Sequence, residues 1–493
     1  MNSLLKRIHQ WPCYILLFPV FFVLHGFVEY FHFVSSASAL FLTFLYIAVS
    51  LAITFFFYLF YKSLPKAALM AFFIMASHFF FGNIYDLLLA VFKAGLITRY
   101  IFLVPAFFVA LTILFFVIKK RNTVFTITYY LNVLMILLIV IDAFALIAQM
   151  TNSKKSFSFQ KRDAGEGLSI CSTCAKPDVY IILLDEYAGA AELKDIFHYD
   201  NQPFFDSLAS RGFSTIINTH SNYNYTPYST AATLDMDYLD QQKTKNVKKG
   251  FKYAASRIND NSTINFFLAN GYQFFNYSPF TVAGQPSPVE GAFVPVNTDL
   301  ITTGTFVTRF GKNVWPNIAD KLDITWYLKK STYVVLKDNE ELYKLTRKIT
   351  GIKTSPKVVY THLLMPHYPY YYNESGEMHP FDTLRKSSLE NTGQYLSYLQ
   401  YANKQVIALA DHILSHSPAP PVIVLLSDHG YRHYTTSSDP SNNFSSLFSV
   451  HFAGYSGHLP DSTSNVNFFR ILLNNEFKQA LPLLKDNRFF IDF

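Results

Sequence analysis

The sequence predicts an α/β protein, with an N-terminal bundle of five transmembrane helices followed by a domain built on a mostly parallel sheet covered by helices. Two observations predict this architecture. Hydrophobic residues make up 51% of the 493-residue chain, and they are concentrated in its first 150 residues. Beyond them, apolar strand patterns alternate with helical patterns, which is typical of a parallel sheet with helices on both faces.

The N-terminal region contains apolar runs long enough to cross a bilayer, which takes roughly 20 residues. The five runs are 11–34, 37–61, 67–92, 100–118 and 125–150. With the N-terminus inside, most Lys and Arg residues of the short loops lie inside as well, and an odd number of spans then places everything after Met150 outside. The net charge of +7 therefore partly reflects the basic residues in the inner loops between the spans. Without a basic stripe or a nucleic-acid motif, we expect no nucleic-acid partner.

Residues 151–176 are polar and turn-rich, and we interpret them as a linker to an outer domain over 177–493. Cys171 and Cys174 lie at the end of this linker, where an outer location favours a local disulfide. A zinc site would need two more ligands nearby, and a redox pair would need a surrounding βαβ unit. Both remain weaker alternatives.

Three predicted strands end in, or are soon followed by, side chains that could bind a metal. The candidates are Asp185 and Glu186 after DVYIILL, His362 and His367 around KVVYTHLL, and Asp428 and His429 after PPVIVLLS. Ligands of open α/β sheets bind outside the carboxyl ends of the strands, so we expect these residues to meet at one edge. Asp and His together suit zinc or manganese, and magnesium is a further option.

The stretch NYNYTPYSTAATL contains a candidate nucleophile. Thr226 followed by Pro227 fits the N-cap and first position of a helix. The Thr226 hydroxyl would then lie at the positive end of a helix dipole, a place that attracts phosphate or sulfate. A divalent metal beside its oxygen would activate it as a nucleophile. The same pattern also fits a capping threonine with no further role.

Taken in order, the stretches DVYIILLDEY, NYNYTPYSTAATLDMDYL, THLLMPHYPY and VIVLLSDHG resemble the alkaline phosphatase superfamily. The late NVNFFR element, ending at Arg470, completes the set. The resemblance is strongest to the membrane-bound sulfatase-like branch, which includes lipoteichoic-acid synthases, phosphoethanolamine transferases and sulfatase-like membrane proteins associated with surface polysaccharides. It covers nearly the whole chain. It implies an alkaline-phosphatase-like catalytic domain on the periplasmic or extracellular side of a bacterial inner membrane, carried by a multi-pass anchor.

Carried over residue by residue, the resemblance implies a metal site formed by Asp185, Thr226, Asp428 and His429, with Thr226 also acting as the nucleophile. His367 matches a histidine that contacts the transferred group or protonates the leaving oxygen. Candidates for substrate or second-metal contacts are Glu186, Ser229, His362, Arg432 and His433. Ser229 is also the second candidate for the nucleophile.

One departure from the family pattern bears on the substrate. Sulfatases carry a Cys or Ser, converted to formylglycine, in a C/S-x-P-x-R element, whereas here Thr226 precedes proline directly and Thr230 stands in place of Arg. We therefore expect a metal-dependent phosphoryl-group transferase that acts on a membrane lipid or surface glycan of phosphoethanolamine or glycerophosphate type. A phosphodiesterase or sulfatase-type hydrolase and a non-catalytic membrane scaffold in polysaccharide assembly remain alternatives.

Three acidic residues lie in the outer halves of the predicted spans, namely Glu29, Asp86 and Asp142. Ionisable residues inside a membrane are candidates for function, so they form a hypothetical headgroup entrance. The alternative is that they pair with neighbouring helices or reach the interface.

Overall fold

The computed structural model describes residues 10–491 except 32–33, 94, 157–167, 172–173, 245–246, 290–296, 353, 355, 435–442 and 455–458. The helices before the first strand are α1 (Tyr14–Glu29), α2 (Ser36–Tyr61), α3 (Leu64–Phe79), α4 (Phe81–Phe92), α5 (Tyr100–Lys120) and α6 (Phe125–Ser156). The strands are β1 (Val179–Leu184), β2 (Phe213–Ile216), β3 (Asn218–His220), β4 (Gln273–Tyr277), β5 (Lys357–Leu363), β6 (Val422–Ser427), β7 (Phe448–His451) and β8 (Ser462–Ser464). The later helices are α7 (Ala190–Asp195), α8 (Gln202–Ala209), α9 (Thr226–Asp235), α10 (Gln241–Thr244), α11 (Val247–Asn259), α12 (Ser262–Ala269), α13 (Asp299–Thr302), α14 (Phe306–Asn313), α15 (Trp315–Lys321), α16 (Thr325–Thr332), α17 (Val334–Thr350), α18 (Phe381–Lys386), α19 (Thr392–His416) and α20 (Asn465–Phe477).

The chain forms two compact units, and their boundary differs from the division expected from the sequence. The first unit comprises Met1–Gln160 together with Pro295–Leu328, and the second comprises Lys161–Val294 and Lys329–Phe493. The sequence pattern assigns Pro295–Leu328 to the outer domain. By its contacts this segment instead packs with the apolar N-terminal helices.

The structure does not confirm the predicted count of five membrane spans. Among the described residues, only α2, α5 and α6 are each long and apolar enough to cross a membrane by themselves. Helices α3 and α4 can form one further span, broken by a bend of 58°. Helix α1 has 16 residues, and at about 1.5 Å per residue it is shorter than the hydrocarbon core of a bilayer. The described helices therefore provide three or four candidate spans.

The first unit is held together by apolar and aromatic packing. Phe18, Met75 and Met135 lie in one buried cluster that joins α1, α3 and α6. The rings of Phe22 and Phe79 stack 3.9 Å apart between α1 and α3. Helix α2 begins at a capping serine, Ser35, whose hydroxyl accepts the Ser38 N–H at 3.1 Å.

The second unit is built on a six-stranded mixed sheet with strand order β2-β7-β6-β1-β5-β4. Strands β6, β1, β5 and β4 are parallel neighbours, while β7 runs antiparallel to both β6 and β2. The prediction of a mostly parallel sheet is therefore confirmed for its centre. A separate two-stranded sheet pairs β3 with β8.

The central strands are almost entirely apolar because both faces of the sheet are covered. Along β1, Ile181 and Leu183 belong to the core on one face, while Ile182 and Leu184 belong to the core on the other. This alternation follows from the two-residue repeat of a strand. Helix α19 covers one face with buried residues at the three- and four-residue spacing of an amphipathic helix.

The cysteine pair behaves as the sequence predicts, because Cys171 and Cys174 form a disulfide. The predicted linker lies partly outside the described residues. Its first residues, 151–156, continue helix α6.

Candidate metal and phosphoryl-transfer site

The register of the central strands brings the predicted ligands to one edge of the sheet. Leu184 of β1 is level with Leu363 of β5 and with Ser427 of β6. The residues after β1 and β6, Asp185 and Asp428, are therefore neighbours, and both are fully buried. The Asp185 N–H donates to the Leu363 carbonyl at 3.0 Å, which fixes the turn that follows β1.

The carboxylate of Asp428 is anchored through one of its oxygens. Oδ1 accepts the backbone N–H groups of Glu186 and His429, each at 2.9 Å. Oδ2 is buried, and within the described part of the chain it makes no hydrogen bond, although His429 Nε2 lies 3.3 Å away. Since that nitrogen presents a lone pair, the two neighbouring acceptor atoms favour a cation between them.

His429 is held in the tautomer that a metal ligand needs. Its Nδ1 lies 2.8 Å from the carbonyl oxygen of Gly430, which can only accept, so Nδ1 carries the proton. The lone pair of Nε2 is then free to bind a cation, with Gly430 supplying the supporting hydrogen bond.

Asp185, Asp428 and His429 together form a site that fits a divalent cation. One ligand atom from each residue lies within 4.8 Å of the others, and all three residues are buried. Burial and the charge of Asp185 raise the pKa of Asp428. Burial also disfavours ionisation of Asp185, but the hydrogen bond from His362 and the charge of His367 outweigh it and lower the pKa of Asp185. A positive ion between the two carboxylates would relieve their repulsion.

Thr226 faces this cluster from the start of helix α9, one position later in the helix than predicted. The N-cap is Tyr225, because its carbonyl accepts the first helical bonds, from the N–H groups of Tyr228 and Ser229. Thr226 is thus the first helical residue, and its hydroxyl is not used for capping. Its Oγ1 lies 3.2 Å from His429 Nε2 and 3.5 Å from Asp185 Oδ1.

Ser229 is turned away from the carboxylates. Its hydroxyl donates to the backbone carbonyl of Asp428 at 2.5 Å. Asn465 donates its amide to the carbonyls of Ser427 and Asp428 at 2.9 and 3.2 Å. Both side chains bond to the backbone at the end of β6. Ser229 therefore supports this strand end, and Thr226 is the hydroxyl that faces the carboxylates.

His362 lies on β5 and orients Asp185. Its Nε2 is 3.1 Å from Asp185 Oδ2, and its Nδ1 is 3.3 Å from the Tyr360 hydroxyl. Both residues are fully buried. His362 is therefore a supporting partner of a candidate ligand.

A second cluster surrounds the Glu186 carboxylate. Its Oε1 lies 3.1 Å from His433 Nε2 and 3.7 Å from Arg432 Nε, and its Oε2 lies 3.8 Å from His367 Nε2. Burial opposes ionisation of Glu186, but the close contact with His433 and the charges of His367, His433 and Arg432 lower its pKa to about 2. The structure thus brings these four predicted residues together.

The backbone at Glu186 and the ring of His367 are both held in defined positions. Glu186 has φ of +59°, a left-handed conformation that is uncommon for residues other than glycine. Its carbonyl accepts the Tyr395 hydroxyl at 2.8 Å, and the same hydroxyl accepts the Ala188 N–H at 2.9 Å. The Nδ1–H of His367 donates to the Tyr368 carbonyl at 2.7 Å, which leaves Nε2 facing Glu186.

Two supporting residues had no role in the sequence analysis. Asn465 begins the NVNFFR element, but the motif alone does not show that its amide reaches the end of β6. Tyr395 lies in the first turn of the amphipathic α19, where its spacing is that of a core residue. In the same element, Arg470 donates to the Met236 and Pro482 carbonyls at 2.9 and 2.8 Å, so it ties α20 to the end of α9.

Two of the three acidic residues of the apolar region, Asp142 and Asp86, have basic partners within the first unit. Asp142 lies 3.1 Å from His25 Nδ1, and Asp86 lies 3.4 Å from Arg309 Nη2. Each of these two carboxylates therefore has a partner in the first unit, which is the alternative that the sequence left open.

Comparisons with known proteins give structural similarities at low sequence identity. No family model and no curated protein matches the chain. The C-terminal periplasmic domain of EcEptC from Escherichia coli, in complex with Zn, shares 13% identity at a TM-score of 0.39, over 63% of this chain and 85% of that one. The soluble domain of lipooligosaccharide phosphoethanolamine transferase A from Neisseria meningitidis shares 14% at 0.38, over 68% and 94%. An alkaline phosphatase superfamily protein from Vibrio parahaemolyticus shares 15% at 0.37, over 65% and 72%.

Proposed function

We propose that this chain is a metal-dependent enzyme of the alkaline phosphatase superfamily that transfers a phosphoryl group through Thr226. The observation that carries the proposal is the position of the Thr226 hydroxyl. It starts a helix and lies within 3.5 Å of one atom from each of two buried candidate metal ligands, His429 and Asp185. A purely structural threonine at a helix start has no need of such partners.

Asp185, Asp428 and His429 would hold the divalent cation. Their donor set suits zinc or manganese, with magnesium a further option. When bound, such an ion lowers the pKa of a neighbouring hydroxyl and offsets negative charge on a phosphoryl group.

In the first step, the Thr226 oxygen attacks the phosphorus of a phosphodiester, and the bond from phosphorus to the departing alcohol breaks. The Thr226 proton can pass to Asp185 Oδ1, which its hydroxyl faces at 3.5 Å, because the Nε2 lone pair of His429 would be used by the cation. The positive end of the α9 dipole favours the negative charge that collects on the phosphoryl oxygens.

In the second step, an acceptor hydroxyl or water attacks the phosphothreonine, the bond from phosphorus to Thr226 breaks, and the Thr226 oxygen regains its proton from Asp185. We assign to His367 the proton transfers at the alcohol oxygens, because its Nδ1 is held by the Tyr368 carbonyl, its Nε2 is directed to the Glu186 side, and its side chain is 16% exposed. In the first step it protonates the departing alcohol, and in the second it takes the proton of the acceptor.

The substrate proposed is a phospholipid or surface glycan of phosphoethanolamine or glycerophosphate type at the outer face of the membrane. The apolar helices of the first unit support a membrane location, and the distribution of basic residues supports the outer face. A glycan or lipid acceptor makes the enzyme a transferase, and water makes it a hydrolase.

The test uses the full chain in lipid nanodiscs with phosphatidylethanolamine labelled in its headgroup. We expect Thr226→Ala to abolish turnover and the phosphothreonine signal in mass spectrometry, while the bound metal stays near the wild-type amount. Thr230→Ala is a matched control, because Thr230 is a buried threonine of the same helix whose hydroxyl has no hydrogen bond among the described residues. It should keep wild-type turnover.

The outcomes separate the alternatives. Label on a second lipid or glycan indicates a transferase, and free phosphoethanolamine indicates a hydrolase. Turnover retained by Thr226→Ala removes Thr226 from the mechanism. If the wild-type chain binds no metal and shows no turnover, the result favours the hypothesis of a non-catalytic membrane scaffold.

A further inference from the structure

The inserted segment, defined here as residues 297–328, follows β4 and the chain after it, yet it is part of the first unit. It comprises helices α13, α14, α15 and the start of α16. No motif of the candidate site lies in it, so the proposed chemistry leaves its role open.

The inserted segment packs tightly against the apolar helices. The Gly82 N–H donates to the Gly304 carbonyl at 2.7 Å, and a Cβ atom at Gly82 would come within 2.7 Å of that oxygen. A Cβ atom at Gly26 would come within 2.6 Å of the Ile301 side chain. Such contacts leave room for glycine alone, so the segment is a fixed part of this unit.

Polar contacts join the same surfaces. Asn297 donates to the Ser38 hydroxyl at 3.1 Å, and Asn313 donates to the Tyr100 hydroxyl at 2.6 Å. Arg309 of α14 pairs with Asp86 of α4 at 3.4 Å.

All of these contacts involve the same ends of the apolar helices. Gly26 is near the end of α1, Ser38 is near the start of α2, Asp86 is in α4 and Tyr100 is the first residue of α5. The distribution of basic residues predicts that each of these ends lies on the outer side. The inserted segment therefore lies at the level where the apolar helices meet the outer membrane surface.

Large apolar side chains of the inserted segment are nevertheless exposed. The exposed fractions are 66% for Val307, 68% for Leu322 and 69% for Trp326. Lys312 and Lys321, both in the last turns of their helices, are exposed as well. Exposed apolar side chains accompanied by lysines are typical of elements that lie in a membrane interface.

We propose that the inserted segment is a membrane-interface element that places Val307, Leu322 and Trp326 among the lipids of the outer leaflet. The helices that the segment contacts also carry exposed apolar side chains, with Leu87 65% and Ile101 74% exposed. Tryptophan is enriched at the level of the headgroups, and lysines there attract anionic lipids. The occupant that fits this surface is thus lipid, continuous with the bilayer around the spans.

The test measures the depth of Trp326 by fluorescence. The chain has three tryptophans, Trp11, Trp315 and Trp326, so replacing the first two by phenylalanine leaves a single reporter. The full chain is reconstituted into phosphatidylcholine and phosphatidylglycerol vesicles whose acyl chains carry bromine either near the headgroup or near the bilayer centre. We expect blue-shifted emission and at least twofold quenching by the shallow bromines, with weaker quenching by the deep ones.

Two further single-tryptophan chains, Val307→Trp and Leu322→Trp, test the other exposed positions in the same way. Leu137→Trp, near the middle of the apolar span Phe125–Thr151 and 55% exposed, is the control that deep bromines should quench most. Water-like emission that acrylamide quenches would overturn the proposal. Blue-shifted emission that neither brominated lipid quenches would also overturn it, because protein would then cover the segment. Neither readout depends on turnover at Thr226.

Discussion

The Asp428→Asn variant tests whether Asp428 stabilises the protein by binding a metal or by its own contacts in the metal-free fold. Asparagine keeps an oxygen that can accept the Glu186 and His429 N–H bonds, but it removes one of two buried negative charges. Ligand atoms of Asp185 and Asp428 lie within 4.8 Å of each other. At that separation and an effective dielectric of about 20, two full charges repel by roughly 3.5 kcal/mol. Because the pKa of Asp428 is raised, the metal-free protein carries only part of this repulsion.

We therefore expect the metal-free Asp428→Asn variant to be as stable as the metal-free wild type, or more stable. For the wild type, a cation at 100 to 1,000 times its Kd adds about 2.7 to 4.1 kcal/mol. At about 2 °C per kcal/mol for a large domain, this raises Tm by roughly 5 to 8 °C. The variant should lose most of this rise.

The assay is thermal unfolding of the full chain in detergent, after treatment with a chelator and again after addition of zinc or manganese. Asp195→Asn is a matched control, since Asp195 is an exposed carboxylate at the end of α7 and should leave both values unchanged. An equal metal-induced rise in wild type and Asp428→Asn would refute the assignment of Asp428 as a ligand. A large loss of stability in the metal-free variant would show that the carboxylate has a structural role instead.

Two further predictions concern the stability of the second unit. Lys357→Met should lower the free energy of unfolding by about 3–5 kcal/mol, because it leaves the buried Asp178 carboxylate without the ammonium 2.5 Å away. The measurement is chemical denaturation, with Lys344→Met as the control at an exposed pair, where the loss should be less than about 1 kcal/mol. Equal losses in the two variants would contradict the reasoning. Glu192→Gln should stabilise the protein at neutral pH, because burial raises the pKa of Glu192 well above its ordinary value. The folded wild type then holds a proton that the unfolded chain releases, so its stability falls by about 1.4 kcal/mol per pH unit between the two pKa values. Unfolding measured from pH 4 to 8 should show this fall in the wild type and not in the variant, and parallel curves would rule out the buried carboxyl as its cause.

Sequence patterns were sufficient for the central strands and the residues that follow them. A buried parallel strand needs an unbroken apolar run, and its carboxyl end is marked where polar residues begin, as at Asp185 and Asp428. Parallel strands share one edge, so it followed that these residues would meet. The Cys171–Cys174 disulfide was predictable because only two residues separate the partners.

Other elements carried too little local signal. Strands β2, β4 and β7 are four or five residues long. They are short, and their pairing with distant strands is what stabilises them. The sequence also predicts the N-cap of α9 one residue late, because Thr226 fits an N-cap as well as the first turn of a helix. Tyr225 takes the N-cap position because the Thr226 hydroxyl has other partners, His429 and Asp185, at the edge of the sheet.

By itself, the sequence determined that this chain has apolar helices, a sheet with both faces covered, and a set of Asp, His and Thr side chains next to strand and helix ends. These features follow from local periodicity and short spacing. Only the tertiary structure decided that Ser229 supports β6, that three residues gather around Glu186, and that the inserted segment joins the apolar helices. Those outcomes depend on contacts between residues far apart in the chain. The close packing at Gly26 and Gly82, for example, cannot be predicted from local periodicity.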